Sequence, residues 1–169
     1  KEEMVFYYSH IGYLKTELLK KDNGFELSEN DFVAKRIECS SLDDIYFICE
    51  SGMVFAKKIH DIERCHINSI IGKEKIVDII IGEGLFIFGT KKGFVKKSKS
   101  ADYAGAFRNS GVIGIKLKED DAVIFASLEK EFISLFSKEG KCIKFESSLV
   151  PIVGRASQGV VGIKGEVIK

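Results

Sequence analysis

Apolar residues along the chain fall in short runs that break at glycine-centred turns. Val5-Phe-Tyr-Tyr8, Ile45-Tyr-Phe-Ile-Cys49, Leu85-Phe-Ile-Phe88 and Phe132-Ile-Ser-Leu-Phe136 are followed by polar turns containing Gly12, Gly52, Gly93 and Gly140. A second run of strand formers then resumes, as in Gly93-Phe-Val-Lys-Lys97. Such pairs of runs predict β-hairpins, because glycine at the turn reaches positive φ without steric cost. Spacings of 40, 41 and 47 residues separate the successive glycines. That period is the length of a four-stranded propeller blade.

Two further landmarks share the period. Charged turns precede additional apolar runs: Glu29-Asn-Asp31 before Phe32-Val33, Lys73-Glu-Lys75 before Ile76-Val77, and Glu119-Asp-Asp121 before Ala122-Val123. A glycine-rich segment occurs twice, as Arg108-Asn-Ser-Gly111-Val-Ile-Gly-Ile-Lys116 and Arg155-Ala-Ser-Gln-Gly159-Val-Val-Gly-Ile-Lys164. The expected architecture is one all-β domain over residues 1–169, with repeats near 4–28, 29–72, 73–118 and 119–169. It forms about four blades in a closed ring or an open spiral. The first copy lacks an opening strand, so the segment Gly159 to Ile168 is expected to pair beside the N-terminal hairpin and cover the exposed ladder edges.

Composition agrees with this pattern. In 169 residues there are 13 Phe, one Pro and 45% apolar side chains, enough for a core of ordinary size with a β bias. The longest apolar stretch, Ile76 to Phe88, is interrupted by Asp78 and Glu83, too early to span a bilayer. Four cysteines without a CxxC pair are expected to be reduced thiols of a cytoplasmic protein. Cys65-His66 offers adjacent candidate metal ligands, but neighbouring strand residues point to opposite faces, so no metal site or cofactor is expected.

The net charge of +1 conceals an asymmetry. Residues 1–84 hold 11 basic and 16 acidic side chains, whereas residues 85–169 hold 15 and 9. Between Lys91 and Lys118 eight basic residues face one acid, Asp102. Clustering of one sign suits a polyanion, the bland counterpart being solvated strand charges. Enzymatic signatures are missing: His10, His60 and His66 are scattered, and no nucleophile elbow, HExxH helix, phosphate loop or carboxylate pair is present.

The segments Gly12-Tyr-Leu-Lys15, Thr90-Lys-Lys-Gly-Phe-Val-Lys-Lys97, Arg108-Asn-Ser-Gly-Val-Ile-Gly-Ile-Lys-Leu-Lys-Glu-Asp-Asp121 and Gly154-Arg-Ala-Ser-Gln-Gly-Val-Val-Gly-Ile-Lys164 together resemble the C-terminal domain of the A subunit of bacterial type IIA topoisomerases, DNA gyrase and topoisomerase IV. The resemblance covers nearly the whole chain. It implies a β-pinwheel, a propeller-like disc whose basic rim binds and bends duplex DNA through phosphates, within a bacterial, nucleoid-associated enzyme. The partners implied are the rest of the A subunit, together with the ATPase B subunit, and no membrane. Catalysis belongs to the parent enzyme, and neither Tyr13 nor Tyr103 is expected to be its nucleophile. The rim contacts it implies are Lys15, Lys57, Lys58, Lys91, Lys92, Lys96, Lys97, Lys141 and Lys144 beside the hairpin turns, with Lys99, Arg108, Lys116, Arg155 and Lys164. One motif departs from the gyrase pattern. The segment Thr16 to Ser28 has nothing like the Gln-Arg-Arg-Gly-Gly-Lys-Gly box tied to supercoiling, which makes the chain more similar to topoisomerase IV, or to a reduced gyrase relative, than to a supercoiling gyrase. The alternative function is a propeller-like protein-interaction module that does not bind DNA.

Overall fold

The computed structural model describes all 169 residues and is built from fifteen strands. The first hairpin is β1 (Glu3–Ser9) and β2 (Tyr13–Leu18), followed by β3 (Val33–Ser40). The second is β4 (Asp44–Cys49) and β5 (Met53–Lys58), followed by the two-residue β6 (Cys65–His66) and by β7 (Ile76–Ile81). The third is β8 (Leu85–Thr90) and β9 (Phe94–Lys99), with β10 (Val112–Ile113) and β11 (Val123–Leu128) after it. The fourth is β12 (Phe132–Ser137) and β13 (Cys142–Glu146), with β14 (Val160–Val161) and β15 (Val167–Ile168). All four predicted hairpins form.

Pairing produces four antiparallel sheets, ordered β3-β1-β2-β6, β10-β5-β4-β7, β11-β8-β9-β14 and β13-β12-β15. The architecture is the propeller-like pinwheel. Strands that open after the charged turns run back to the preceding hairpin, β3 pairing with β1, β7 with β4 and β11 with β8, and β15 returns to β12 in the same way. The first sheet is therefore complete in four strands. The expected closure through residues 159–168 does not occur, because Val160 pairs with Val95 and Ile168 with Phe136, on the third and fourth sheets.

Two of the three charged turns act as hooks. Asp31 Oδ1 accepts the amides of Ile11 (3.1 Å) and Phe32 (2.9 Å). Asp121 Oδ1 accepts those of Lys92 and Ala122, both at 2.9 Å. Each carboxylate thus fastens the start of a returning strand to the hairpin turn it must reach.

Three apolar cores lie between successive sheets. Alternation along β4 divides its side chains: Ile45, Phe47 and Cys49 pack with Phe6 and Leu14 of the first sheet. Tyr46 and Ile48 pack with Phe86 and Phe88 of the third. The other face of the third sheet, with Ile87 and Val95, meets Ile133 and Leu135 of the fourth. Middle strands buried on both faces explain why their sequences are continuous apolar runs. Each fully buried Phe contributes about 1.5–3 kcal/mol of transfer free energy. The outer face of the first sheet is covered by the turn after β2, where Phe25 packs on Tyr7 with centroids 5.8 Å apart.

The returning strands meet at a hub. Asp78 on β7 accepts the Ala126 amide of β11 at 2.9 Å, and lies 3.5 Å from Lys35 of β3 and 3.6 Å from Lys169 just past β15. One carboxylate thereby touches all four units. Because β3, β7 and β11 occupy the hub edge of their sheets, β6, β10 and β14 at the opposite edge form the perimeter.

Candidate nucleic-acid interface

Each perimeter strand is a strap laid across the hairpin of an earlier unit. The amides of Ile67, Gly114 and Gly162 donate to the carbonyls of Gly12 (2.7 Å), Gly52 (2.8 Å) and Gly93 (2.7 Å). Gly93 has φ +89°, and a Cβ there would collide with the Ile163 carbonyl, so the turn needs glycine for its conformation and for the strap's close approach. The two glycine-rich segments of the sequence are the second and third straps. The first, Arg64-Cys-His-Ile67, occupies the equivalent register, with Cys65 opposite Leu14 as Val112 is opposite Val54 and Val160 opposite Val95. It has lost the glycines and the terminal lysine, and sequence inspection misses it. Spacing from Gly12 was the signal that could have found it.

His66 in this strap receives the Asn68 amide on Nδ1 at 3.1 Å, so Nε2 carries the proton and donates to the Ile11 carbonyl at 2.8 Å. Its ring stands edge-on to Tyr13. Cys65 and His66 have no third ligand, since no group of three His, Cys, Asp or Glu side chains converges anywhere in the chain. Tyr103 is a core residue whose hydroxyl donates to the Gly114 carbonyl at 3.0 Å.

The sequence-predicted cations divide into three environments. Lys99, Arg108, Lys116, Lys141 and Lys164 are exposed and make no ion pair or side-chain hydrogen bond within the chain. Half-buried Lys57 likewise makes none. Arg108 and Lys116 bracket β10, Lys164 follows β14, and Lys99 closes β9, so this group lies mainly on the perimeter and hairpin ends of the second and third sheets.

A second group is exposed but engaged. Lys91 is 3.4 Å from Glu166, Lys92 donates to the Glu119 carbonyl at 2.5 Å, and Lys144 lies over the Phe132 ring at 4.5 Å. Lys91, Lys92 and Phe94 line an open groove with Asp120, Glu166 and Lys118, which lies 4.8 Å over Phe94. Lys118 is an addition to the sequence-derived set. Arg155 is half-buried, and its guanidinium donates to the Ile113 carbonyl of the neighbouring strap.

The third group is structural. Lys15 pairs with Glu17 at 3.0 Å and sits between the rings of Tyr7 and Phe25, while Lys58 pairs with Asp44 at 2.5 Å. Beside Lys15, Asp22 is held well below the usual carboxylate range by the Tyr7 hydroxyl and then Arg36. Lys97 is 4% exposed and bonds Glu129 at 2.7 Å, which pulls that carboxylate's pKa down. Lys96 is 0% exposed, and burial, then Arg155, push its pKa down to about 7. Neither lysine presents a cation to solvent, because packing on both faces of β9 leaves no solvated side.

A family model described as the DNA gyrase C-terminal domain, beta-propeller, matches residues 85–128 and 131–165, which contain the third and fourth hairpins and both glycine-rich straps. The DNA gyrase A subunit of Deinococcus deserti is 31% identical over 191 residues, covering 96% of this chain and 23% of the relative. The chain belongs to the C-terminal domain family of type II topoisomerase A subunits. The corresponding gyrase protein of Lawsonia intracellularis is 30% identical over 96% of the chain and 23% of its own length. The chain therefore spans about a quarter of the curated relatives it matches. Among solved structures, the C-terminal domain of a DNA topoisomerase IV superposes with TM-score 0.82 at 25% identity, covering 99% of this chain and 60% of that one. A DNA gyrase A C-terminal domain gives 0.69 at 23% identity, over 99% and 63%. No helix is long and apolar enough to cross a membrane.

Proposed function

We propose that the chain binds and bends duplex DNA along the perimeter of its second to fourth sheets, as the DNA-presenting part of a bacterial type IIA topoisomerase. Strand passage and ATP use belong to the rest of the A subunit, together with the B subunit; the duplex itself is the remaining partner and the cytoplasm, at the nucleoid, the setting. The carrying observation is the set of uncompensated cations at the ends of straps and hairpins, Lys99, Arg108, Lys116, Lys141 and Lys164.

Neutralising phosphates releases condensed counterions, so affinity arises without base readout and falls steeply with salt. About five contacts correspond to a log–log salt slope near −4 to −5. Bending a short duplex by tens of degrees costs about 1–6 kcal/mol, and a perimeter with this few cations supports a modest bend rather than a full wrap. That economy, with the missing supercoiling box, favours behaviour of the topoisomerase IV kind.

Fluorescence anisotropy of a linear duplex at low and moderate salt tests the proposal. The combined reversal Lys99→Glu, Arg108→Glu, Lys116→Glu and Lys164→Glu should abolish binding. Retained binding, or no binding by the wild type, would favour a protein-interaction module instead. In the full-length enzyme, relaxation and decatenation without introduction of negative supercoils is the expected activity.

A further inference from the structure

Lys96 is the one fully buried lysine of the chain. Its ammonium lies 5.2 Å over the Phe88 ring and donates to the carbonyls of Gly154, at 3.4 Å, and Arg155. From that same turn the Arg155 guanidinium reaches the Ile113 carbonyl in β10, and Ser157 accepts the Lys116 amide at 3.2 Å. The turn leads directly into Gly159 and β14. A continuous set of contacts therefore runs from the interior of the third sheet, through residues 154–157, to two neighbouring perimeter straps. Packing alone would be served by an apolar side chain of similar volume, since a buried ammonium carries a desolvation cost. What the ammonium adds is directed donation to two backbone carbonyls.

We propose that Lys96 is a positioning residue for the perimeter: it fixes the 154–157 turn and, through Arg155, the spacing of β10 and β14, and so sets the curvature along which duplex is bent. The inference rests on the DNA-binding reading above. The charged or titratable groups that face Lys96 are Arg155 on the turn and Asp102 on the 3-10 helix after β9, which also carries the Tyr103 hydroxyl. With its pKa lowered to about 7, the ammonium fraction changes across neutrality, and the grip on the two carbonyls changes with it.

The test uses Lys96→Met and Arg155→Met, with circular dichroism as the check on folding. Amide exchange is read without DNA; salt slope and end-to-end transfer efficiency are read on a short end-labelled duplex. Lys96→Met should raise exchange at Lys116 and Gly162 by about tenfold. It should reduce the bend, leave the salt slope unchanged because no phosphate contact is lost, and flatten the bend's pH dependence between about pH 6 and about pH 8. Arg155→Met should loosen the same amides.

Wild-type exchange in Lys96→Met, or a wild-type bend with its pH response intact, overturns the inference. A salt slope reduced by about one would reassign Lys96 to direct phosphate contact and overturns it equally. If Lys96→Met does not fold, protected amides in Arg155→Met overturn it. Absence of duplex binding by the wild type would sink the DNA reading alone, and the exchange data would still decide whether Lys96 holds the straps.

Discussion

Replacing Gly93 and Gly140 by alanine separates the contribution of a strap from that of a turn. Both glycines sit at the corners of hairpins with similar backbone, φ +89° and +85°. An added Cβ meets nothing within 4 Å at Gly140, whereas at Gly93 it runs into the carbonyl of Ile163. The left-handed conformation costs alanine about 1–2 kcal/mol at either site. At Gly93 the strap must also move, which removes the hydrogen bond from Gly162 to the Gly93 carbonyl, worth about 1 kcal/mol net. It also uncovers Ile163, adding about 1.5–3 kcal/mol. Gly93→Ala should thus cost about 3.5–6 kcal/mol, and Gly140→Ala about 1–2 kcal/mol. Urea unfolding followed by circular dichroism measures both. Equal losses in the two variants would refute the claim that the strap's close approach is what demands glycine at residue 93.

An unfolded Lys96 holds its proton up to about 10.5 and the folded one only to about 7, so stability should rise with pH across that window; pH-dependent unfolding of Lys96→Met should show no such rise. Lys97→Met, which strands Glu129 and Ser147 against an apolar neighbour, should destabilise by about 1–3 kcal/mol while leaving the DNA salt slope intact, as read by urea melts and anisotropy. Asp78→Ala removes the hub acceptor of the Ala126 amide and the two lysines, and should cost about 1–3 kcal/mol with the greatest rise in amide exchange at Ala126. A melt indistinguishable from wild type would show that the hub carboxylate does not hold the sheets together.

Much of this architecture was legible in the order of residues. Hairpin turns announce themselves through glycine between apolar runs, and two straps through Gly-Val-x-Gly-Ile. Which hairpin a returning strand would join was not legible, because the run after Asp31 or Asp121 is equally able to pair forwards or backwards. The deciding contact is a carboxylate hooking an amide some twenty to thirty residues upstream, as Asp31 does for Ile11. Interface residues were harder still. Lys96-Lys97 and Lys91-Lys92 look alike as doublets, yet the first pair lies in a strand buried on both faces and the second caps a solvated turn. Arg155 and Arg108 open matching motifs, but only Arg155 finds a carbonyl of the neighbouring strap within reach. Strand position decides exposure, and only the packing of adjacent sheets reveals it.

If uncompensated perimeter cations, and not the chain's lysines at large, hold polyanionic duplex, charge reversal must act by position rather than by number. The most direct measurement is the salt dependence of duplex affinity for two variants of equal charge change. One carries Lys99→Glu, Arg108→Glu, Lys116→Glu and Lys164→Glu; the other carries four reversals at exposed lysines of the first unit and its neighbour, Lys1→Glu, Lys20→Glu, Lys21→Glu and Lys73→Glu. Binding should be lost in the first, and the second should keep a slope within about one of the wild type. Equal losses in the two would contradict this dependence on position.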